Sequence, residues 1–133
     1  MPFILAVDYD DTLFLDSYPG DGEPNEPVIE KVKEFIKHGA EVALWTCREE
    51  RLLEEAVERC KKHGIEFASV NENTPSQLDY MEERAKEGDI FAKRKIFADF
   101  YVDDKAKNLD IFLAIKVKET CDSFASRGAE ENR

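Results

Sequence analysis

Residues 3–7, Phe3-Ile4-Leu5-Ala6-Val7, form an unbroken apolar run, and three carboxylates, Asp8, Asp10 and Asp11, arrive within the next four positions. A short apolar run without alternation reads as a strand buried on both faces, and such strands belong to parallel sheets covered by helices. Parallel neighbours need long crossover connections, so helices must alternate with strands along the rest of the chain. The carboxylates raise a chemical question as well. Like charges this close repel, and a buried, unpaired carboxylate is costly or becomes protonated. Something must compensate for them, and a cation is the obvious candidate.

The remaining pattern supplies the helices. Residues 14–26, FLDSYPGDGEPNE, read as loop. Pro27 suits a first helical position, Val28, Ile29, Val32, Phe35 and Ile36 recur with helical spacing, and Gly39 is a stop. Glu41 to Trp45 is a second strand. Glu49 to His63 is a second helix with Leu52, Leu53, Ala56, Val57 and Cys60 as its stripe and Gly64 behind it. Ile65 to Val70 is a third, shorter strand. Thr74 is a cap with Pro75 behind it, opening a third helix that runs to about Lys86. Ile96 to Val102 contains a fourth strand, again ending in acids, Asp103 and Asp104. Residues 109–118 fit either period; a helix is preferred, because a strand so soon after another could only be its hairpin partner. The expected fold is a single Rossmann-like α/β/α domain over residues 1–118, a mainly parallel sheet of about four strands in the order 3-2-1-4, with residues 119–133 a fraying tail. Ligands of such sheets bind beyond the carboxyl ends of the strands. That rim receives Asp8, Asp10, Thr46, Asn71 and Asp103, so two separate strands deliver carboxylates to one place.

Composition narrows the partners. A net charge of −11, spread along all 133 residues, argues against a nucleic-acid backbone or an anionic membrane surface, since both demand a basic footprint. The three cysteines, Cys47, Cys60 and Cys121, match no zinc spacing. The first apolar run is too short for a signal peptide and no stretch reaches membrane-spanning length. These features describe a reduced, cytoplasmic, soluble protein.

Asp8-Tyr9-Asp10-Asp11-Thr12-Leu13 after an apolar strand resembles the DxDxT signature of the haloacid dehalogenase superfamily of phosphohydrolases. Thr46 at the end of the second strand, Lys95 ahead of the last core strand and the pair Asp103-Asp104 after it resemble the family's other three motifs, in order, across residues 3–104. The resemblance implies a magnesium-dependent phosphatase in which Asp8 attacks phosphorus and forms an aspartyl phosphate, splitting one displacement into two. Asp10 would protonate the leaving oxygen and then deprotonate the attacking water. Asp8 and Asp103 would offer carboxylate oxygens to Mg2+, Asp10 its main-chain carbonyl, and Asp104 a water-mediated or orienting contact. Thr46 and Lys95 would hold the phosphoryl oxygens. Thr12, Arg48 and Asn71 are the candidate substrate contacts.

Each assignment has a plainer rival. Arg48 could equally form a surface salt bridge, Asn71 and Asn73 could simply make a turn, Lys93 competes with Lys95, Asp11 is read as a cap or turn residue, and Asp99 has no chemical role. Neither gap in the core, 14–26 or 71–94, has room for a cap domain, which points to an open site accepting a phosphorylated small molecule or macromolecule. The alternatives are a phosphorelay receiver-like domain, whose acidic pair and phosphorylated Asp would occur in a different order, and a non-catalytic phosphate- or metal-binding protein.

Overall fold

A computed structural model describes residues 1–88 and 95–103. Asp104, Lys93, the 109–118 segment and the 119–133 tail lie outside the described residues. Four parallel strands, β1 (Ile4–Val7), β4 (Glu41–Leu44), β5 (Ser69–Val70) and β6 (Phe100–Val102), form a sheet in the order β5-β4-β1-β6. This is the 3-2-1-4 arrangement expected of the four predicted strands. All four residues of β1 are buried, as an interior strand with both faces covered requires. Leu5, Val7, Val42 and Leu44 face a core with Ile29, Val32 and Phe35 of α1 (Glu26–Lys37) and Ala56 and Cys60 of α2 (Glu50–Lys62). Ala6 and Ala43 point to the other face, where Ile96 packs on them. A third helix, α3 (Pro75–Lys86), is capped by the Thr74 hydroxyl, which accepts from the Gln77 N–H at 3.4 Å. None of the described helices is long and apolar enough to cross a membrane.

Three expectations change. Residues 14–26 are not simply loop: β2 (Phe14–Leu15) pairs antiparallel with β3 (Glu23–Pro24). Asn25 ties the pairing to the residues just before it, its N–H donating to the Leu13 carbonyl at 2.8 Å and its amide to the Thr12 carbonyl at 2.9 Å. Gly22 closes this hairpin at φ +67°, where a Cβ would come within 2.5 Å of the Leu15 carbonyl oxygen. The third strand shrinks to Ser69–Val70, although Ile65 stays buried in the core. The fourth shrinks to Phe100–Val102, because side chains replace the ladder at its start. The Ile4 N–H donates to the Asp99 carboxylate at 2.8 Å while the Asp99 N–H donates to the Ile4 carbonyl, also at 2.8 Å. Asp99 therefore ends the sheet on that side and satisfies a strand N–H.

Candidate active site

The parallel ladder continues one residue past each strand. The Asp8 N–H donates to the Val102 carbonyl (2.9 Å), Trp45 N–H to Val7 (2.8 Å) and Asn71 N–H to Leu44 (2.7 Å). These bonds align Asp8, Trp45 and Asn71 along one rim, and Asp103 follows Val102 directly on the neighbouring strand. Asp8 is half-buried, and one of its oxygens accepts from the next N–H, that of Tyr9, at 2.9 Å. The chain then reverses. Asp11 takes φ +59° and its carboxylate accepts from the Asp16 N–H at 3.0 Å, so it shapes the turn.

Asp10 meets Arg48. The guanidinium donates to its carboxylate from Nε (3.0 and 3.2 Å) and from one terminal nitrogen (2.7 Å), a forked pairing, and that nitrogen also reaches the Gly20 carbonyl at 3.1 Å. The Ser17 hydroxyl donates to the same carboxylate. Arg48 is 4% exposed and lies between two rings, 4.7 Å from the centre of Tyr9 and 5.6 Å from that of Tyr18. Burial pushes the Asp10 carboxyl up, but the hydrogen bonds from Arg48 and Ser17 and the guanidinium charge outweigh it and hold the group below its ordinary value. The same bonds raise Arg48. Of the two sequence readings of Arg48, the salt bridge is present, but buried rather than on the surface. The cation that compensates for the second carboxylate is supplied by the chain itself.

Thr46 opens the loop into α2. Its hydroxyl accepts from the Arg48 N–H at 3.2 Å, and its own N–H donates to the Asn71 side-chain oxygen at 2.8 Å. Asn71, expected to touch substrate, thus commits that oxygen to the protein. Thr12, also expected at the substrate, is 4% exposed under the turn, and its buried hydroxyl has no hydrogen-bond partner among the described residues. Lys95 is exposed, its ammonium 5.8 Å from the Phe97 ring centre. It lines a cavity of about 390 Å³ with Asp103, Trp45 and Tyr101. Asn73, for which the sequence leaves substrate contact and a turn both open, is 1% exposed and hydrogen-bonds the backbone on both sides of Ile96. Neither Asn73 nor Ser17 carries a local signal in the sequence, because both act on residues distant along the chain.

Among the described residues no group of three His, Cys, Asp or Glu side chains converges to hold a metal ion. Asp8 and Asp103 stand on adjacent strand ends. Magnesium commonly takes only one or two carboxylates and keeps several waters, so this oxygen-only donor set fits it better than a softer metal. Burial pushes the Cys60 thiol up to about 12, so Cys60 is no nucleophile at neutral pH.

No family model and no curated protein matches the chain. A solved structure, described as a conserved protein coded by a locus from Bacteroides thetaiotaomicron, aligns with a TM-score of 0.63 at 31% identity, covering 81% of this chain and 80% of that one.

Proposed function

The chain belongs to the same family as that conserved Bacteroides thetaiotaomicron protein, and for it we propose a magnesium-dependent phosphohydrolase activity of the haloacid dehalogenase type. The observation that carries the reading is the separation of two carboxylates only two residues apart. Asp8 lies at the strand end beside Asp103, whereas Asp10 is fixed by Arg48 and Ser17. This separation supports giving the attack to Asp8 and the proton handling to Asp10.

In the proposed reaction a carboxylate oxygen of Asp8 bonds to phosphorus as the ester P–O bond breaks, and the leaving oxygen takes a proton from Asp10. Water then attacks the aspartyl phosphate, Asp10 removes its proton, and phosphate departs with Asp8 restored. Thr46 and Lys95 hold phosphoryl oxygens in line. Magnesium, when bound through Asp8, Asp103 and the Asp10 carbonyl, neutralises charge on the carboxylates and the phosphoryl group. In the resting arrangement Asp10 is ionised, so it is ready as the base of the second step. As an acid it must first be loaded with a proton against the pull of Arg48. Leaving groups that need no proton are therefore favoured. Between β1 and α1 there is only the small hairpin, which supports an open site and leaves the phosphate ester free to be a small molecule or part of a macromolecule.

Turnover of para-nitrophenyl phosphate and of a broad panel of metabolite phosphates tests this directly. Activity should require magnesium, disappear with a chelator and disappear in Asp8→Asn. Asp10→Asn should lose about 10²–10⁴-fold on alkyl phosphates and distinctly less on the aryl ester. Full activity in excess chelator, or an equal loss on both esters, would count against the scheme.

A further inference from the structure

We infer that the turn joining β5 to α3, residues 71–74, is the element that positions Thr46 and Lys95, with Asn71 and Asn73 as its two contact points. The inference rests on the phosphohydrolase reading, because it assigns these asparagines to the two groups proposed to hold the phosphoryl oxygens. The turn touches both of them through main-chain atoms. Asn71 accepts from the Thr46 N–H at 2.8 Å. Asn73 donates to the Lys95 carbonyl at 2.9 Å and accepts from the Phe97 N–H at 2.7 Å.

The Asn73 pattern has a specific meaning. In a parallel ladder, a residue donates to the carbonyl before its partner and accepts from the N–H after it. The Asn73 carboxamide does both to the residues flanking Ile96, so one side chain acts as a one-residue parallel strand. Ile96 is pinned against Ala6 and Ala43, and Lys95 is held at the end of this short pseudo-strand. Only a carboxamide supplies a donor and an acceptor in that arrangement.

The turn is itself rigid. The Ser69 hydroxyl donates to the Glu72 carbonyl at 2.7 Å, Thr74 caps α3, and Asn73 and Thr74 are 1% and 0% exposed. Asn71 sits at φ +54°, a conformation that asparagine tolerates better than most residues. One element therefore sets the spacing between the main chain of Thr46, at β4's end, and that of Lys95, on the segment preceding β6. Spacing of this kind matters because a displacement of about 1 Å can cost on the order of 10²-fold in rate.

A merely structural asparagine would lower stability without regard to Lys95. A positioning residue must act through it. The test is a double-mutant cycle on para-nitrophenyl phosphate with magnesium, reading kcat/KM and Tm for the parent, Asn73→Ala, Lys95→Ala and the double variant. Asn73→Ala should lower kcat/KM by about 10²-fold in the parent. In the Lys95→Ala background it should leave kcat/KM roughly unchanged while still lowering Tm. A second pair does not depend on the buried site. Asn71→Gly removes the side chain without straining the left-handed backbone and should lower kcat/KM, whereas Asn71→Asp keeps the acceptor for the Thr46 N–H and should restore most of it. Equal losses in both Lys95 backgrounds, or two Asn71 variants indistinguishable from each other, would overturn the positioning role while an active parent leaves the phosphohydrolase reading standing. A parent without turnover overturns both.

Discussion

Arg48 donates to Asp10 through a fork, and replacing it by alanine would leave a carboxylate with only Ser17 in a site where Asp10's side chain is 24% exposed. Breaking a buried ion pair by removing one partner typically costs about 3–5 kcal/mol, and partial exposure of Asp10 places this pair at the lower end. Arg48→Ala is therefore expected to lose about 3 kcal/mol in urea denaturation at neutral pH. Arg48→Lys should recover only part of this, since an ammonium cannot fork. The pH dependence follows from the sign of the shift. Asp10's folded pKa lies below its unfolded value, so its contribution is complete above the ordinary carboxylate pKa of about 4 and is lost as pH falls through the folded value. The stability gap between the parent and Arg48→Ala should close as the pH is lowered below about 4. A gap that persists unchanged in acid would mean that Arg48 contributes through packing on Tyr9 and Tyr18 rather than through charge.

At the scale of elements, the hairpin β2–β3 links the turn after β1 to the arginines of α2 and its leading loop. Ser17 reaches Asp10, the Gly20 carbonyl receives Arg48 and the Gly22 carbonyl receives Arg59 at 3.0 Å. Two glycines in this loop make a controlled comparison. Gly22→Ala puts a Cβ 2.5 Å from the Leu15 carbonyl at a positive φ, so the hairpin must open, with a clear fall in Tm and weakened contacts at Asp10. At Gly20 a Cβ would meet only the Ser17 carbonyl, at 3.5 Å, so Gly20→Ala should leave Tm near that of the parent. Equal effects at the two positions would contradict the hairpin geometry. The helices were legible in the sequence because their stripes are local and their ends are punctuated, by Pro27, by Thr74-Pro75, and by Gly39 and Gly64. The hairpin was not, because two-residue strands have no periodicity and theirs is fixed by contacts from distant residues. The shortened β6 was missed for a related reason: the side chains of Asn73 and Asp99 take over bonds that a longer strand would have made. The rim itself was legible, since β-strand order fixes which residues end side by side. The Asp10–Arg48 pair was not, as 38 positions separate its members.

For the molecule as a whole, a net charge of −11 means that any added cation will stabilise the fold somewhat by screening self-repulsion. A specific magnesium site must therefore be separated from this background. Asp8 and Asp103 lie on adjacent strand ends, and a cation shared between them stabilises the folded chain by mass action, since the unfolded chain does not bring them together. Thermal denaturation in millimolar magnesium should give a higher Tm than in sodium chloride of matched ionic strength. Asp8→Asn and Asp103→Ala should each lose that difference while keeping the ordinary response to salt. If magnesium and matched sodium chloride gave the same Tm, the stabilisation would be screening alone and the two strand ends would not form a cation site.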